Sequence, residues 1–501
     1  AIEKIFLEKD QTLLIFIPLF IILAFSTKGI SLYAAKSLMI IVAEEIKKKL
    51  QVDMISSLIK ADTQSIDKKH SGKFISNLIY DVQHITNLLS NAILNLFKDS
   101  LTLIGLLIVM FVQNWKLALV SLIMIPLASI ASKSLGKRMH KVATEAQEKS
   151  GFLTTYLVEL FKNHKITKIF QKEKYETKRA DGHLDQLMKK QKKLTTVLIR
   201  MSPIMEVFTG IMIAILIYYS GTLIANNEIK VNNFFSFLAA MMLAYQPVRS
   251  LSTLNMVVNQ GLSAANRILP IIDTENLIKD SDSAKNLNIK NGNIIFSNVS
   301  FKYEINEKNV LNNIDLEFEG GKMTALVGHS GSGKSTILNL IPRFYQPYSG
   351  NILIDDQSIF DTKIFSLRDK ISLVSQETTL FDDTIRNNIK YANTDATDEE
   401  IEKVALLSNS IDFINKLPNK FDTLIGENGL RLSGGEKQRI SIARAVINDP
   451  QIILADEPTG SLDHETAKEI FKLLENQINP NRLIIFATHN RFFANKADCL
   501  L

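Results

Sequence analysis

Eight consecutive residues, Gly328-His329-Ser330-Gly331-Ser332-Gly333-Lys334-Ser335, have the composition of a phosphate-binding loop. Its glycines let successive backbone N–H groups approach phosphate oxygens, and a helix starting at its end adds the positive end of its dipole. In this Walker A pattern Gly328, Ser330, Gly331, Ser332 and Gly333 shape the cradle and Thr336 continues it. Lys334 reaches the outer phosphates of a nucleoside triphosphate, and the Ser335 hydroxyl suits a magnesium ion. A second run, Ile452-Ile453-Leu454-Ala455-Asp456-Glu457, reads as an apolar strand ending in two acids. Beside the loop, Asp456 would hold magnesium through water and Glu457 would polarise an attacking water, since phosphoryl transfer asks mainly for positioning and charge stabilisation. Two acids after an apolar strand also occur without that role, and a glycine turn also occurs without a phosphate.

The elements that must position these residues are legible around them. From Asn291 onward the chain breaks into short β-rich runs, Ile294 to Phe301, Ile314 to Phe318 and Met323 to Val327, and the last opens directly into the loop. Strand, loop and helix in that order give the context a phosphate loop requires. The run Leu432-Ser433-Gly434-Gly435-Glu436-Lys437-Gln438-Arg439 precedes the acid pair and opens an amphipathic helix through Ala445.

That run resembles the signature sequence of the ATP-binding cassette (ABC) family, and further motifs follow the family's order. Gln376 in Val374-Ser375-Gln376 is similar to the Q-loop, Ser461-Leu462-Asp463 to the D-loop and His489 to the switch histidine. Tyr303, in Val299-Ser300-Phe301-Lys302-Tyr303, matches the aromatic that stacks on adenine. The resemblance implies an α/β P-loop nucleotide-binding domain with an antiparallel β subdomain over 294–501, with ATP and Mg2+ as cofactors. It implies Glu457, His489 and Gln376 as catalytic, and Ser335, Gln376 and Asp456 around the metal. It also implies that Ser433, Gly434, Gly435 and Asp463 complete the ATP site of a second subunit, so one cassette per chain implies a dimer, two identical chains giving two competent sites. Thr423-Leu424-Ile425-Gly426-Glu427-Asn428-Gly429 resembles the exporter stretch that meets cytoplasmic loops, with Glu427 as a coupling candidate.

The first half is a different material. Of 501 residues 46% are hydrophobic, which excludes a disordered or purely nucleic-acid-coating chain. Residues 1–270 hold 33 Lys and Arg against 19 Asp and Glu, whereas 271–501 hold 25 against 33. The single cysteine, Cys499, excludes a disulfide framework and cysteine-based zinc or iron–sulfur sites. Apolar stretches near 12–35, 93–112, 117–132, 203–226 and 234–257 approach the length of about 20 residues that crosses a bilayer. The alternative for each is a buried soluble helix. Loops 36–92 and 133–200 are long and basic, the latter with 17 Lys and Arg against 7 acids, while Gln113–Lys116 and Ala225–Asn232 are tight turns. The positive-inside rule then puts the long loops in the cytoplasm and the turns outside. Helical patterning in Met139–Phe161 and Thr167–Leu198 extends the helices beyond the bilayer. Basic runs such as Lys189-Lys190-Gln191-Lys192-Lys193 read as solvated helix faces rather than nucleic-acid contacts.

Spans ahead of a cassette resemble the type I exporter half-transporter, with 1–270 as membrane domain, 271–293 as linker and 294–501 as cassette. Within that family the membrane half is similar to the bacterial lipid A flippases. The runs that carry this are Ser65-Ile66-Asp67-Lys68 with Gly72, Tyr80-Asp81, Asn163-His164-Lys165, Glu176-Thr177-Lys178-Arg179 and Asp412-Phe413-Ile414-Asn415-Lys416. Lys28, Lys98 and Arg249 fall where those flippases place cavity cations, and three cations at span ends suit the phosphates of a glycolipid. Snorkelling to the interface is the alternative. Adjacent Lys98 and Asp99 point in different helical directions and are not expected to pair. The resemblance implies a multi-pass protein of the bacterial inner membrane with a cytoplasmic cassette, flipping a lipid or amphiphile such as lipid A. A drug or peptide exporter would share the engine, and a soluble cassette ATPase would lack the spans. Loops near Ser65–Lys73 and Asn163–Tyr175 are expected to transmit cassette closure. Asp456-Glu457-Pro458-Thr459-Gly460-Ser461-Leu462-Asp463 departs from the exporters' usual Asp-Glu-Ala-Thr-Ser-Ala-Leu-Asp, as Thr488-His489-Asn490 does from Ala-His-Arg. Against the family's six helices and longer tail, the chain reads as truncated at both ends.

Overall fold

The computed structural model describes residues 11–67, 71–226, 228–303, 308–376, 378–460 and 462–501. It divides into two compact units, Ala1–Lys60 with Lys69–Thr274, and Ala61–Lys68 with Glu275–Leu501.

The first unit is helical. Helix α1 (Gln11–Lys60) is followed, after the short α2 (Thr63–Asp67) of the other unit, by α3 (Ser71–Ser76), α4 (Val82–Asn87) and α5 (Leu94–Gln113), linked through the π turns Asn77–Asp81 and Leu88–Ile93. Then come α6 (Trp115–Leu122), α7 (Met124–Lys162), α8 (His164–Ile169), α9 (Glu173–Ala225) and α10 (Val231–Ile272). Among the described residues three stretches are long and apolar enough to cross a membrane, Ile15–Lys60, Gly72–Gln113 and Glu206–Ala225. The most apolar window of the first has none of its residues buried. Phe16, Ile22 and Phe25 are each more than 60% exposed. A helix apolar all round with nothing packed on it is unstable in water and stable among lipid tails. The stretches 117–132 and 234–257 lie on α6–α7 and α10.

Among the described residues, two clusters of buried apolar side chains stand out in this unit. Met110, Leu117, Met212, Leu216 and Phe237 form one cluster, capped by turns. Asn114 is extended between α5 and α6, and its side chain accepts the Leu117 N–H at 3.0 Å, which starts α6 one residue after α5 ends. Lys116 then pairs with Glu228 at 2.5 Å, tying the two tight turns to each other. A second cluster contains Met54, Val82, Ile268 and Ile271. Beside it Arg267 donates to both oxygens of buried Asp81, at 2.9 and 2.7 Å, so α10 is pinned to the π turn by a bidentate pair.

The second unit holds two sheets. The antiparallel one has the order β2-β1-β4-β5, with β1 (Ile294–Phe301), β2 (Leu311–Phe318), β4 (Ser349–Ile354) and β5 (Gln357–Ser358). The parallel one has the order β6-β7-β8-β3-β9, with β3 (Met323–Val327), β6 (Ile371–Val374), β7 (Ile452–Asp456), β8 (Leu483–Thr488) and β9 (Cys499–Leu500). Strands β7 and β8 are apolar runs because both faces of a parallel sheet are covered. The helices are α11 (Lys334–Leu340), α12 (Ile364–Asp369), α13 (Ile385–Lys390), α14 (Asp398–Leu407), α15 (Ile411–Lys416), α16 (Gly434–Val446), α17 (His464–Glu475) and α18 (Arg491–Ala494). Strand β2 begins at Leu311, three residues before the sequence reading, because the polar Asn312-Asn313 hides a bulge. Asn313 has φ 45° and its N–H donates to Ser300 Oγ at 2.8 Å, so the ladder continues past it to Leu311.

Residues 61–68 belong to this second unit although helices of the first flank them in sequence. Asp62 accepts the Leu277 N–H at 2.5 Å, and Asp355 accepts four consecutive N–H groups, Lys290 to Asn293, at 2.6–3.0 Å. These carboxylates fasten the connection into the cassette.

Candidate nucleotide site

The phosphate loop lies where β3 passes into α11, at the carboxyl end of the parallel sheet, the end at which α/β folds bind ligands. Gly333 turns the chain with φ 93°, and a Cβ there would lie 2.8 Å from Leu311 Cδ2, so no other residue fits both the conformation and the space. Lys334 is 9% exposed and folds back over the loop, its ammonium donating to the Gly328 and His329 carbonyls at 2.9 and 3.0 Å. Those bonds keep a buried cation satisfied and leave it at the mouth of the cradle. Thr336, the next residue but one, exchanges a hydrogen bond with the Tyr303 hydroxyl at 3.0 Å.

Strand β7 lies one strand away, with β8 between, and delivers Asp456 to the foot of the loop. There its carboxylate bonds with Ser335. Burial pushes Asp456 above the ordinary carboxylate range, and the neighbouring Glu457 adds to this against the Ser335 bond and Lys334. A carboxylate and a hydroxyl sharing one partly buried spot fit a hard cation bound by oxygens, as magnesium is. Glu457 has φ 43°, uncommon for a residue with a side chain, and its N–H is held by the Ala487 carbonyl at 3.0 Å. That turn points its carboxylate to His489, whose Nδ1 lies 2.9 Å from Glu457 Oε2. Gln376 shares this space: a Cβ on Gly460 would come within 3.2 Å of Glu457 Oε2 and 3.5 Å of Gln376 Nε2. Lys334, Ser335, Asp456, Glu457, His489 and Gln376 thus collect around the loop.

The signature residues stand on a separate element. Ser433 caps α16: its N–H and its hydroxyl both donate to Glu436 Oε2 at 2.8 Å, and its oxygen accepts the Glu436 N–H. Gly434 and Gly435 form the first turn of that helix. Asp463 caps α17, accepting the Thr466 N–H at 3.0 Å, and these Thr466 bonds hold its carboxyl below the ordinary range. Among the described residues no hydrogen bond joins Ser433, Gly435 or Asp463 to the loop 328–335. Ser461, the first residue of the D-loop match, lies outside the described residues. Glu427 is exposed in the one-turn helix Glu427–Gly429.

In the first unit, Lys28, Lys98 and Arg249 stand on α1, α5 and α10, and among the described residues no hydrogen bond or ion pair joins any two of them. Lys28 lies 6.0 Å over the Phe25 ring and Arg249 is exposed. The expectation that Lys98 and Asp99 do not pair is corrected: Lys98 Nζ lies 3.1 Å from Asp99 Oδ1. Their Cβ atoms diverge, but the four-carbon lysine stem swings round the helix, and Asp99, 4% exposed, gains by pairing inside an apolar setting.

Two features of the second unit escaped the sequence reading. One is Gly460, whose missing side chain leaves room for Glu457 and Gln376. The other is the bond from the Thr378 hydroxyl to Gln438 Oε1, joining the segment after Gln376 to the signature helix.

The description "ABC transporter transmembrane region" matches residues 1–248, and "ABC transporter" matches 311–460. The chain belongs to the ABC transporter family. It is 38% identical to an ATP-dependent lipid A-core flippase of Syntrophus aciditrophicus (strain SB) over 97% of this chain and 81% of that protein. It is 32% identical to one of the same description from Escherichia coli (strain K12), over 98% of this chain and 84% of the other. Its fold is also that of a bacterial Atm1-family ABC exporter with ATP bound, with a TM-score of 0.88, 24% identity, and coverage of 100% of this chain and 88% of that one. The chain is a membrane half-transporter of the exporter type that binds ATP and couples its hydrolysis to transport.

Proposed function

We propose that this chain flips lipid A, or a related phosphorylated glycolipid, from the inner to the outer leaflet of a bacterial inner membrane, as a homodimer with cytoplasmic cassettes. The observation that carries the substrate is the 38% identity to a lipid A-core flippase, which runs through the membrane half as well as the cassette. The exposed cations Lys28 and Arg249, with Lys98 beside Asp99, supply partners for lipid phosphates on apolar helices.

In the nucleotide site Lys334 would turn from the Gly328 and His329 carbonyls to the outer phosphates, and Gln376, Ser335 and Asp456 would hold magnesium, which would supply neutralisation of phosphate charge. Glu457 polarises the attacking water, and His489 keeps the Glu457 carboxylate aimed. Tyr303 stacks on the base. Ser433, Gly434, Gly435 and Asp463 complete the site of the second chain, in keeping with the lack, among the described residues, of a hydrogen bond from Ser433, Gly435 or Asp463 to the loop of their own chain. Glu427 couples the cassette to the membrane loops. ATP closes the cassettes because the closed dimer binds it more tightly, and hydrolysis resets the open state.

The test is ATP hydrolysis by the purified protein in lipid nanodiscs while lipid A is titrated, with a neutral lipid and a cationic drug for comparison. Saturable stimulation by lipid A alone is the expected result. Stimulation by the drug alone would assign a multidrug exporter.

A further inference from the structure

His489 follows directly on β8 with 64% of its side chain exposed, so its aim at Glu457 comes from the turn that carries it rather than from packing of its own ring. That turn is tightly specified. The Asn490 N–H donates to Thr488 Oγ1 at 3.0 Å, and Asn490 Oδ1 accepts the Phe492 N–H at 2.9 Å to start α18. Two neighbouring rings then leave α18 in different directions. Phe493 is buried and stacks on Phe471 with centroids 5.1 Å apart, which fixes the inner side. Phe492 stays 45% exposed and meets the His464 ring edge-to-face, with centroids 5.5 Å apart and planes at 62°. The Lys496 ammonium lies 5.2 Å over the same Phe492 ring.

His464 opens α17, immediately after its Asp463 cap. Its backbone is held on several sides. Asp463 accepts the Thr466 N–H at 3.0 Å, and Lys468 pairs with Glu465 at 3.0 Å. Thr466 is pressed on the signature helix, where a Cβ on Gly435 would come within 2.6 Å of Thr466 Cγ2. An edge-to-face contact from so fixed a position attracts through the ring quadrupoles and needs no charge on the histidine. The contact follows directly on 456–463 and 488–490, the two stretches that depart from the exporters' usual wording, so the two departures meet in one place.

We propose that His464 is a positioning residue for ATP hydrolysis: its ring on Phe492 braces the turn 489–492 and so keeps His489 on the Glu457 carboxylate. Phe493 alone holds α18 at one point, about which the turn can rock, and the His464 ring supplies the second point. Rocking takes His489 Nδ1 off its 2.9 Å contact with Glu457 Oε2, and misplacing a group that serves the chemistry costs rate rather than affinity. The inference rests on the nucleotide-site reading above, in which Glu457 and His489 serve hydrolysis, and is independent of which lipid is moved.

Steady-state ATP hydrolysis by the full chain in nanodiscs tests it, with kcat and KM measured for the wild type and for variants at 464 and 492. His464 is exposed, so its variants remove a ring without opening a core. His464→Ala and His464→Gln should each lower kcat by about 3- to 10-fold, with KM within about two-fold of the wild type. His464→Phe keeps a ring without an ionisable group and should restore kcat to within about two-fold. Phe492→Leu should lower kcat as His464→Ala does, and the double variant should be no worse than either. Undiminished kcat in His464→Ala, additive losses in the double variant, or a loss that His464→Phe does not restore overturns the brace. So does a raised KM with kcat intact, which would make His464 a nucleotide-binding group. Hydrolysis at the wild-type rate by His489→Ala overturns the nucleotide-site reading and the brace with it.

Discussion

The two units solve opposite problems with the same alphabet. In the cassette, functional side chains are held by named partners: Lys334 by two carbonyls, Asp456 by Ser335, Glu457 by His489. In the membrane unit, large apolar residues such as Phe16, Ile22 and Phe25 lie open, and the cations Lys28 and Arg249 are exposed. Lipid completes the first unit, and water and ATP the second. Chemistry that requires fixed geometry is spelled out residue by residue, whereas recognition of an amphiphile needs only charge at the right depth on an apolar wall.

The sharpest way to break that contrast is at Glu457. Glu457→Gln keeps the shape and removes the charge, so hydrolysis should fall by about 100- to 10,000-fold with ATP affinity retained. Steady-state hydrolysis and equilibrium nucleotide binding check this, and vigorous turnover by the variant would remove Glu457 from the catalytic role. Next in size is Arg267→Ala, which leaves the buried Asp81 carboxylate unpaired and should cost about 3 kcal/mol, read as a lowered unfolding midpoint. A smaller effect is expected at the cations proposed to meet lipid phosphates. Lys28→Ala or Arg249→Ala should weaken half-maximal stimulation by lipid A by about 3- to 10-fold and leave unstimulated hydrolysis unchanged. Lys98→Ala should do more harm to stability than either, since it strands Asp99. The smallest is Lys116→Ala at the exposed pair with Glu228, where solvent screening should leave the unfolding midpoint nearly unchanged.

What could be read from the sequence follows the same divide. Gly328 to Ser335, Asp456-Glu457 and Leu432 to Arg439 are contiguous because backbone turns do the work, and contiguous work leaves contiguous words. The starts of β1, β3 and β7 were legible, and that of β2 was not, because Asn312-Asn313 conceals the bulge. Pairing between distant residues left no such trace. Nothing local says that Arg267 grips Asp81, that Tyr345 reaches Asp67, or that Gly460 clears space for Glu457 and Gln376. The Lys98–Asp99 pair was misread for a related reason: helical spacing describes where Cβ atoms point and not how far a lysine stem travels.

The most direct test of the account is leaflet-resolved transfer of labelled lipid A in proteoliposomes, comparing the wild type with Glu457→Gln. ATP should move label to the opposite leaflet in the wild type and leave it in place in the variant. Equal transfer by both proteins, or transfer that does not depend on ATP, would contradict it.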